Sequence, residues 1–345
     1  MRNRFLLGLG FSALLLALLV LKVDLHAVGE AFLGADPALL AVVAILHVVV
    51  LSLKAVRWQV VLGSLPGDEA PPRNPTNAAD RWLVFDALFL GYFGNYALPA
   101  KLGELARSAL YSKRRNAPMP SVVATIVFER FLDALTLVAF FWLVATLAPL
   151  PETLPDWVTL STNLAGAVGG AGLLTLFLMW RLLPDASVAA FAERNGRLGR
   201  LVGKVLDLVQ SFRGGLAILQ QRGRALRATA WTVAIWAIEC FAVALCFRAF
   251  GHDLHWTGAV VQVVISSFAI AAPSAPGGLG IHQWVTLLVM AAYGATEEQA
   301  VSASLVLTFV VVLWVVPIGL HGLWRQGSST ASLRADVEAM QSDAS

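Results

Sequence analysis

The sequence predicts an all-α integral membrane protein with six spanning helices and two inverted re-entrant helical hairpins. Three observations carry that prediction: the composition, a five-residue pattern that interrupts two long apolar stretches, and the sidedness of Lys and Arg. Of the 345 residues, 58% are hydrophobic and only 14% charged, with a mean hydropathy of +0.72. Soluble domains carry about 25% charged residues, so little of the chain is left for a separate aqueous domain. The pattern Pro-x-x-Leu-Gly occurs at Pro99–Gly103 and again at Pro276–Gly280, each time inside an apolar run of membrane depth. Backbone opened at that depth is tolerated only where protein or a water-filled cavity covers its freed polar groups. Broken helices in corresponding positions of two halves are a pointer to a transport site.

A helix crosses the hydrocarbon core with about 20 apolar residues, and full-length candidates are 5–21, 38–62, 121–148, 159–183, 228–249 and 299–324. The first follows Arg2 and Arg4 and reads as an uncleaved span, with a cleaved leader as the alternative. Two further stretches, 82–112 and 258–294, are long but broken near their middles by the repeated pattern.

Cytoplasmic loops are enriched in Lys and Arg. The first broken stretch is flanked by Arg73 and Arg81 on one side and by Lys113-Arg114-Arg115 on the other, so it reads as a hairpin entering from the cytoplasm. The second is flanked by His252-Asp253-Leu254-His255 and Glu297-Glu298, so it reads as a hairpin entering from outside. Of the 25 Lys and Arg, this topology puts Lys22 and Arg248 outside and Arg130 within the membrane, with the rest in cytoplasmic segments or at cytoplasmic helix ends. Both termini are then cytoplasmic. The organisation expected is one polytopic domain over 1–325. Its first half, 1–183, contains the hairpin 82–112, and its second half, 228–325, contains the hairpin 258–294. Between them, 184–227 reads as a basic amphipathic connection, either on the leaflet or against the protein's own cytoplasmic face. The polar tail, 326–345, is expected to be disordered.

The first broken stretch holds most of the candidate site. Asn95 precedes the break, and Pro99 suits the first turn of a new helix, where its missing N–H is no loss. Lys101, Glu104 and Arg107 follow at spacings of three and share a face. Charges at this depth are costly unless paired or facing a cavity. Lys101 and Arg107 are therefore expected to attract an anionic headgroup, with Glu104 holding Arg107; an interfacial anchoring pair of Glu104 and Arg107 is the alternative. In the next span Glu129, Arg130 and Asp133 form a cluster that could take up a proton or cation, complement Lys101 and Arg107 across a helix interface, or serve as structural glue. In the second hairpin Pro273, Ser274, Pro276, Gly277, Gly278 and Gly280 let backbone approach a ligand, and His282 follows in the first turn of the next helix. His47 reads as a packed residue within a span, and no role is assigned to the lone acid Glu239. The two cysteines, Cys240 and Cys246, form no metal-ligand spacing. No nucleotide loop, nucleophile elbow or metal pattern is visible, so no cofactor or metal is expected, and the chain is expected not to be an enzyme.

In this order and spacing, Gly94-Asn95, Leu98-Pro99, Gly103-Glu104-x-x-Arg107, Glu129-Arg130-x-x-Asp133, Pro273-Ser274-x-Pro276-Gly277-Gly278-Leu279-Gly280 and the late Pro317 resemble a known family. It is that of the flippase-like transmembrane proteins related to the membrane half of lysylphosphatidylglycerol synthase (multiple peptide resistance factor), and the resemblance runs over roughly 5–325. It implies movement between leaflets of anionic, aminoacylated, polyprenyl-linked or hopanoid-type lipids in the inner membrane. Lipids are then the expected partners, with no nucleic acid, and an enzyme of lipid synthesis is the candidate protein partner. A secondary transporter of a small soluble anion and a non-transporting membrane subunit are the alternatives. The chain departs from the family at His282-Gln283, where an acidic or aromatic residue is common, and at Lys101, where Gly or Arg is expected. No aminoacyl-transferase domain follows in this sequence, so synthesis of a lysyl lipid is not expected of it.

Overall fold

The computed structural model describes residues 15, 17–72, 78–97, 103–182, 211, 213–271 and 278–326. Among the described residues the chain is helical, without strands: α1 (Leu25–Gly34), α2 (Pro37–Leu62), α3 (Ala78–Ala97), α4 (Gly103–Arg115), α5 (Met119–Leu147), α6 (Asp156–Leu182), α7 (Arg222–Ala249), α8 (Trp256–Ala271), α9 (Ile281–Ala291) and α10 (Glu297–Arg325). Four of these, α2, α5, α7 and α10, are long and apolar enough to cross a membrane. Leu143, Leu147, Phe241, Phe309 and Leu313 remain exposed on their outer surfaces, where hydrocarbon is the compatible solvent. The chain is a multi-pass membrane protein.

Helix starts follow local chemistry. Asp24 caps α1, its Oδ1 accepting from the His26 N–H at 2.8 Å. Asp36 caps α2 in the same way at Ala38, also 2.8 Å, with Pro37 in the first turn. Thr296 and Gln299 close a capping box at α10, with bonds of 3.2 and 3.0 Å. The short α1 was not among the expected spans, since ten residues cannot cross a bilayer.

Helices α2 and α7 run along one another, α3 packs on α4 and α10, and α8 packs on α9 and α5. The expected span 5–21 falls largely outside the described residues, whereas 159–183 corresponds to α6. Both interruptions lie where the repeated pattern put them: α3 ends at Ala97 and α4 begins at Gly103, while α8 ends at Ala271 and α9 begins at Ile281. Pro99, Lys101, Pro273, Ser274, Pro276 and Gly277 lie outside the described residues.

The first helix pair is held at contact distance by glycine. A Cβ on Gly103 would sit 1.8 Å from the Gly91 carbonyl oxygen and 2.6 Å from Asn95 Oδ1. No side chain fits there. Further along α3, Gly319 and Gly322 of α10 meet Phe93 and Asp86, with hypothetical Cβ contacts of 2.9 and 3.2 Å.

Two segments at the margins of the expected domain are partly described. Gln326 does not belong to a disordered tail: it is buried, and its Nε2 donates to Asp86 Oδ2 at 2.8 Å and to the Ala79 carbonyl at 3.0 Å. It shares the fully buried Asp86 with Arg325, whose Nη2 lies 2.6 Å from Oδ1, so a charge on α3 keeps the chain ordered past the end of α10. The remainder of the tail, 327–345, lies outside the described residues. In the connection 184–227, most residues are likewise outside them, but Leu216 and Ile218 are buried with Val61, Ala124 and Phe128. That part packs on the protein's own surface.

Gly103→Ala is expected to lower the thermal midpoint of the detergent-solubilised protein, since overpacking costs about 1–3 kcal/mol. Gly29→Ala in α1, which meets nothing within 4 Å, serves as the control and should leave it unchanged or raise it slightly; equal midpoints for the two variants would refute the close-approach argument.

Candidate functional site

Two polar assemblies occupy the interior. The first centres on Arg57 of α2, which is 1% exposed. Its Nε donates to Glu129 Oε1 at 2.9 Å, its Nη2 to Asp133 Oδ2 at 3.2 Å and its Nη1 to Thr232 Oγ1 at 3.1 Å. A further bond joins Nη1 to Asp133 Oδ1. From α4, Arg107 places Nη2 3.4 Å from the other oxygen of Glu129 and Nε 2.6 Å from Glu104 Oε2, an ion pair off the line of the N–H. The Arg107 guanidinium also lies 4.7 Å from the Trp58 ring centre. Trp236 of α7 donates to Asp133 Oδ1 at 3.0 Å, and Arg130 approaches Asp133 Oδ2 at 3.6 Å.

Arg57, Arg107 and Arg130 thus meet Glu104, Glu129 and Asp133, so the cluster is formally neutral. Of the three roles open for Glu129 and Asp133, the geometry favours pairing across helices, because both carboxylates are already occupied by guanidinium donors. Arg57, expected among the cytoplasmic segments and helix ends, is buried inside the bundle, where Glu129 and Asp133 neutralise it.

Asn95 does not reach this cluster; its Oδ1 accepts from the Gly103 N–H at 3.1 Å, tying the end of α3 to the start of α4. In the second helix pair, Gly278 and Gly280 adopt φ of +70° and +88°, a region glycine enters at little cost. The Gly280 N–H donates to Gln283 Oε1 at 2.7 Å. His282 Nδ1 and Gln283 Nε2 both meet Thr308 Oγ1 of α10, at 3.1 and 3.2 Å.

The second assembly lines a cavity of about 140 Å³ walled mainly by α7, α8 and α10, with single residues from α2, α3 and α9. With about 10–15 Å³ of such space per water, it admits on the order of ten waters, or one small headgroup fragment. His47 of α2, Tyr96 of α3, Glu239 of α7, Gln262 and Ser266 of α8 and His282 of α9 face it. Gln262 Nε2 donates to Ser266 Oγ at 2.8 Å and to Thr286 Oγ1 at 2.6 Å. That leaves its buried Oε1 without a hydrogen-bond partner, a group that a bound donor would satisfy. Glu239 is bracketed by His47 Nε2 at 3.5 Å and by Lys54 Nζ at 3.7 Å. The Lys54 ammonium also lies 5.6 Å from the Tyr92 ring centre and 5.3 Å from that of Trp236.

Among the predicted site residues that the structure describes, only His282 reaches this cavity directly. The sequence signals for the others were present but unspecific: one acid in α7, one amide in the apolar α8, and a histidine in a span.

The family model described as the lysylphosphatidylglycerol synthase TM region matches residues 5–319. The chain belongs to this family. Proteins similar to it include one named Glycosyltransferase AglD from Haloferax volcanii, 27% identical over 96% of this chain. A UPF0104 membrane protein from Methanothermobacter thermautotrophicus is 22% identical over 97% of this chain and 98% of its own length. A further UPF0104 membrane protein, from Methanocaldococcus jannaschii, is 23% identical over 57% of this chain and 79% of its own length. The chain spans 55% of the length of the first of these. No solved structure matches the chain at a significant level.

The expectation of a non-enzyme is corrected by the first relative, whose name is that of an enzyme. The physical weakness of that expectation is plain in the fold. It rested on spacing along the chain, whereas Glu239, His47 and His282 are brought to one cavity from three helices distant in sequence.

Removing one partner from a buried ion pair costs about 3–5 kcal/mol because it strands the opposite charge. Arg57→Met should therefore lower the thermal midpoint severely, and the combination with Asp133→Asn, which restores neutrality, should recover much of the loss. A double variant no more stable than Arg57→Met would show that the cluster does not act as a neutral unit.

Proposed function

We propose that this family member carries an amphipathic lipid between leaflets, with the headgroup passing through the cavity walled mainly by α7, α8 and α10, and the tails remaining in hydrocarbon. The observation that carries this reading is the cavity on which His47, Glu239, Gln262 and His282 converge from four helices between largely apolar walls. The cavity is flanked by two helix interruptions bearing the same sequence pattern. Transport sites at such interruptions are a recurrent solution in membranes. In this reading α3–α4 and α8–α9 are re-entrant hairpins entering from opposite faces of an inner membrane, six helices span it, and both termini face the cytoplasm. The basic connection 184–227 would offer a docking surface for an enzyme of lipid synthesis.

The headgroup classes supported by family membership are anionic, aminoacylated, polyprenyl-linked and hopanoid-type. The relative named a glycosyltransferase adds a sugar-bearing lipid to them. The cavity's Gln262, Ser266 and Tyr96 offer hydrogen bonds suited to hydroxyl groups. A role in glycosyl transfer itself is the second reading, favoured by that relative's name.

Purified protein in proteoliposomes is expected to accelerate flipping of at least one lipid from a panel of phosphatidylglycerol, lysyl-phosphatidylglycerol, a polyprenyl phosphate and a glycosylated polyprenyl phosphate. Gln262→Leu should slow that lipid roughly five- to tenfold, the effect of one neutral hydrogen bond. A panel that moves no faster than in empty liposomes would reject the reading.

The topology is tested separately. In a background lacking Cys240 and Cys246, Arg114→Cys and Asp253→Cys should react with an impermeant maleimide from opposite sides of the membrane. Labelling from the same side would exclude inverted hairpins.

A further inference from the structure

The His47–Glu239 pair has an unusual hydrogen-bond balance. His47 Nδ1 lies 2.9 Å from the Val43 carbonyl oxygen, one turn back on α2. A carbonyl only accepts, so that nitrogen carries a hydrogen. The other ring nitrogen, Nε2, faces Glu239 Oε2 at 3.5 Å. If the imidazole is neutral and the carboxylate ionised, two lone pairs face one another in a buried site. One proton placed on either group turns this repulsion into a hydrogen bond or an ion pair. We propose that His47 and Glu239 together form a proton-binding site on the wall of the cavity, and that the proton it takes up is the ion to which headgroup movement is coupled.

The surroundings agree with one proton rather than none or two. From α2, Lys54 approaches Glu239 Oε1 at 3.7 Å, which neutralises the carboxylate but leaves Oε2 to the imidazole. From α3, the rings of Tyr92 and Tyr96 face this region; from α5, Asp133 and Arg130 act on Lys54 from the neighbouring cluster. His282 of α9 and Thr308 of α10 complete the wall. Lys54, Glu239 and neutral His47 sum to zero charge, and uptake of one proton brings them to +1. Glu239 faces the cavity, so the proton arrives from water there. It returns to water on the other side when the cavity reopens. The Glu129–Asp133 cluster cannot serve this purpose while its carboxylates are held by Arg57 and Arg107.

This inference rests on reading the cavity as the headgroup path, but its first test does not require transport. Proton uptake by the purified protein in nanodiscs is measured with a pH-indicator dye as the medium is taken from alkaline to mildly acidic. Wild type should take up about one proton per chain more than Glu239→Gln, and His47→Gln should lose the same proton. Lys54→Met, which removes a repelling charge, should shift the uptake to higher pH; it keeps the test decisive should either of the first two variants fail to fold. Equal uptake by wild type and Glu239→Gln, no shift in Lys54→Met, or loss of the proton in His282→Gln instead would overturn the proposal. In proteoliposomes a pH gradient should then accelerate flipping by wild type and not by Glu239→Gln. A panel in which no lipid moves would refute the transport reading and the coupling role, while leaving the proton count readable.

Discussion

Charge neutrality inside hydrocarbon is the constraint on which the arrangement of helices depends, and Arg57 is where it is met. A guanidinium is never deprotonated in proteins and cannot remain unpaired away from water, so α2 must lie where carboxylates reach it. Glu129 and Asp133 of α5 supply them, one turn apart on the same face. Glu129 then has a second oxygen to satisfy, and Arg107 of α4 reaches it; Arg107 in turn requires Glu104. Thr232 and Trp236 fill the remaining donor and acceptor directions from α7. Each group is partnered by the next, and the chain of requirements joins four helices.

Apolar packing alone would leave these helices free to slide, because lipid tails solvate Leu and Val as well as another helix does. The ion network fixes their register, and glycine fixes their distance. At Gly103 the backbones of α3 and α4 approach so closely that a methyl group would overlap the Gly91 carbonyl. Asn95 then accepts from the Gly103 N–H, so that the first donor of α4, which has no partner within its own helix, is satisfied from the end of α3. Gln283 performs the equivalent service at the start of α9 through the Gly280 N–H. Both interrupted elements thus open their second helix at a glycine whose N–H is held by a side-chain amide.

The helix interruptions were legible in the sequence because Pro and Gly act locally, through a missing donor and a permitted left-handed backbone. Four spans were legible for the same kind of reason, since hydrocarbon thickness sets their length. The burial of Arg57 was not legible because a Lys or Arg near a helix end ordinarily reaches the interface, and only the fold shows two carboxylates waiting for it. Glu239 was a lone acid and Gln262 a lone amide in apolar helices, and nothing along the chain ties either to the distant His47. Sidedness of charge and spacing of motifs describe the chain in one dimension; the cavity exists only after α2, α3, α7, α8, α9 and α10 converge.

The two polar assemblies are not independent, and Trp236 is the joint between them. Its indole N–H is committed to Asp133 in the ion network, while its ring faces the cavity and the Lys54 ammonium. Lys54 sits one turn before Arg57 on α2, so the same turn carries the neutralising cation of Glu239 and the centre of the network. Any movement of α2 relative to α7 that opens the cavity must therefore either carry Asp133 along or break its bonds to Arg57 and Trp236. The second course strands buried charge, at a cost of several kcal/mol. The less costly motion keeps α2, α4, α5 and α7 together as one body, because Arg107 binds α4 to Glu129 as Arg57 binds α2. Among the described residues no ion pair ties α8 or α9 to this body, so the network's stiffness leaves the α8–α9 pair as the element that can move against it.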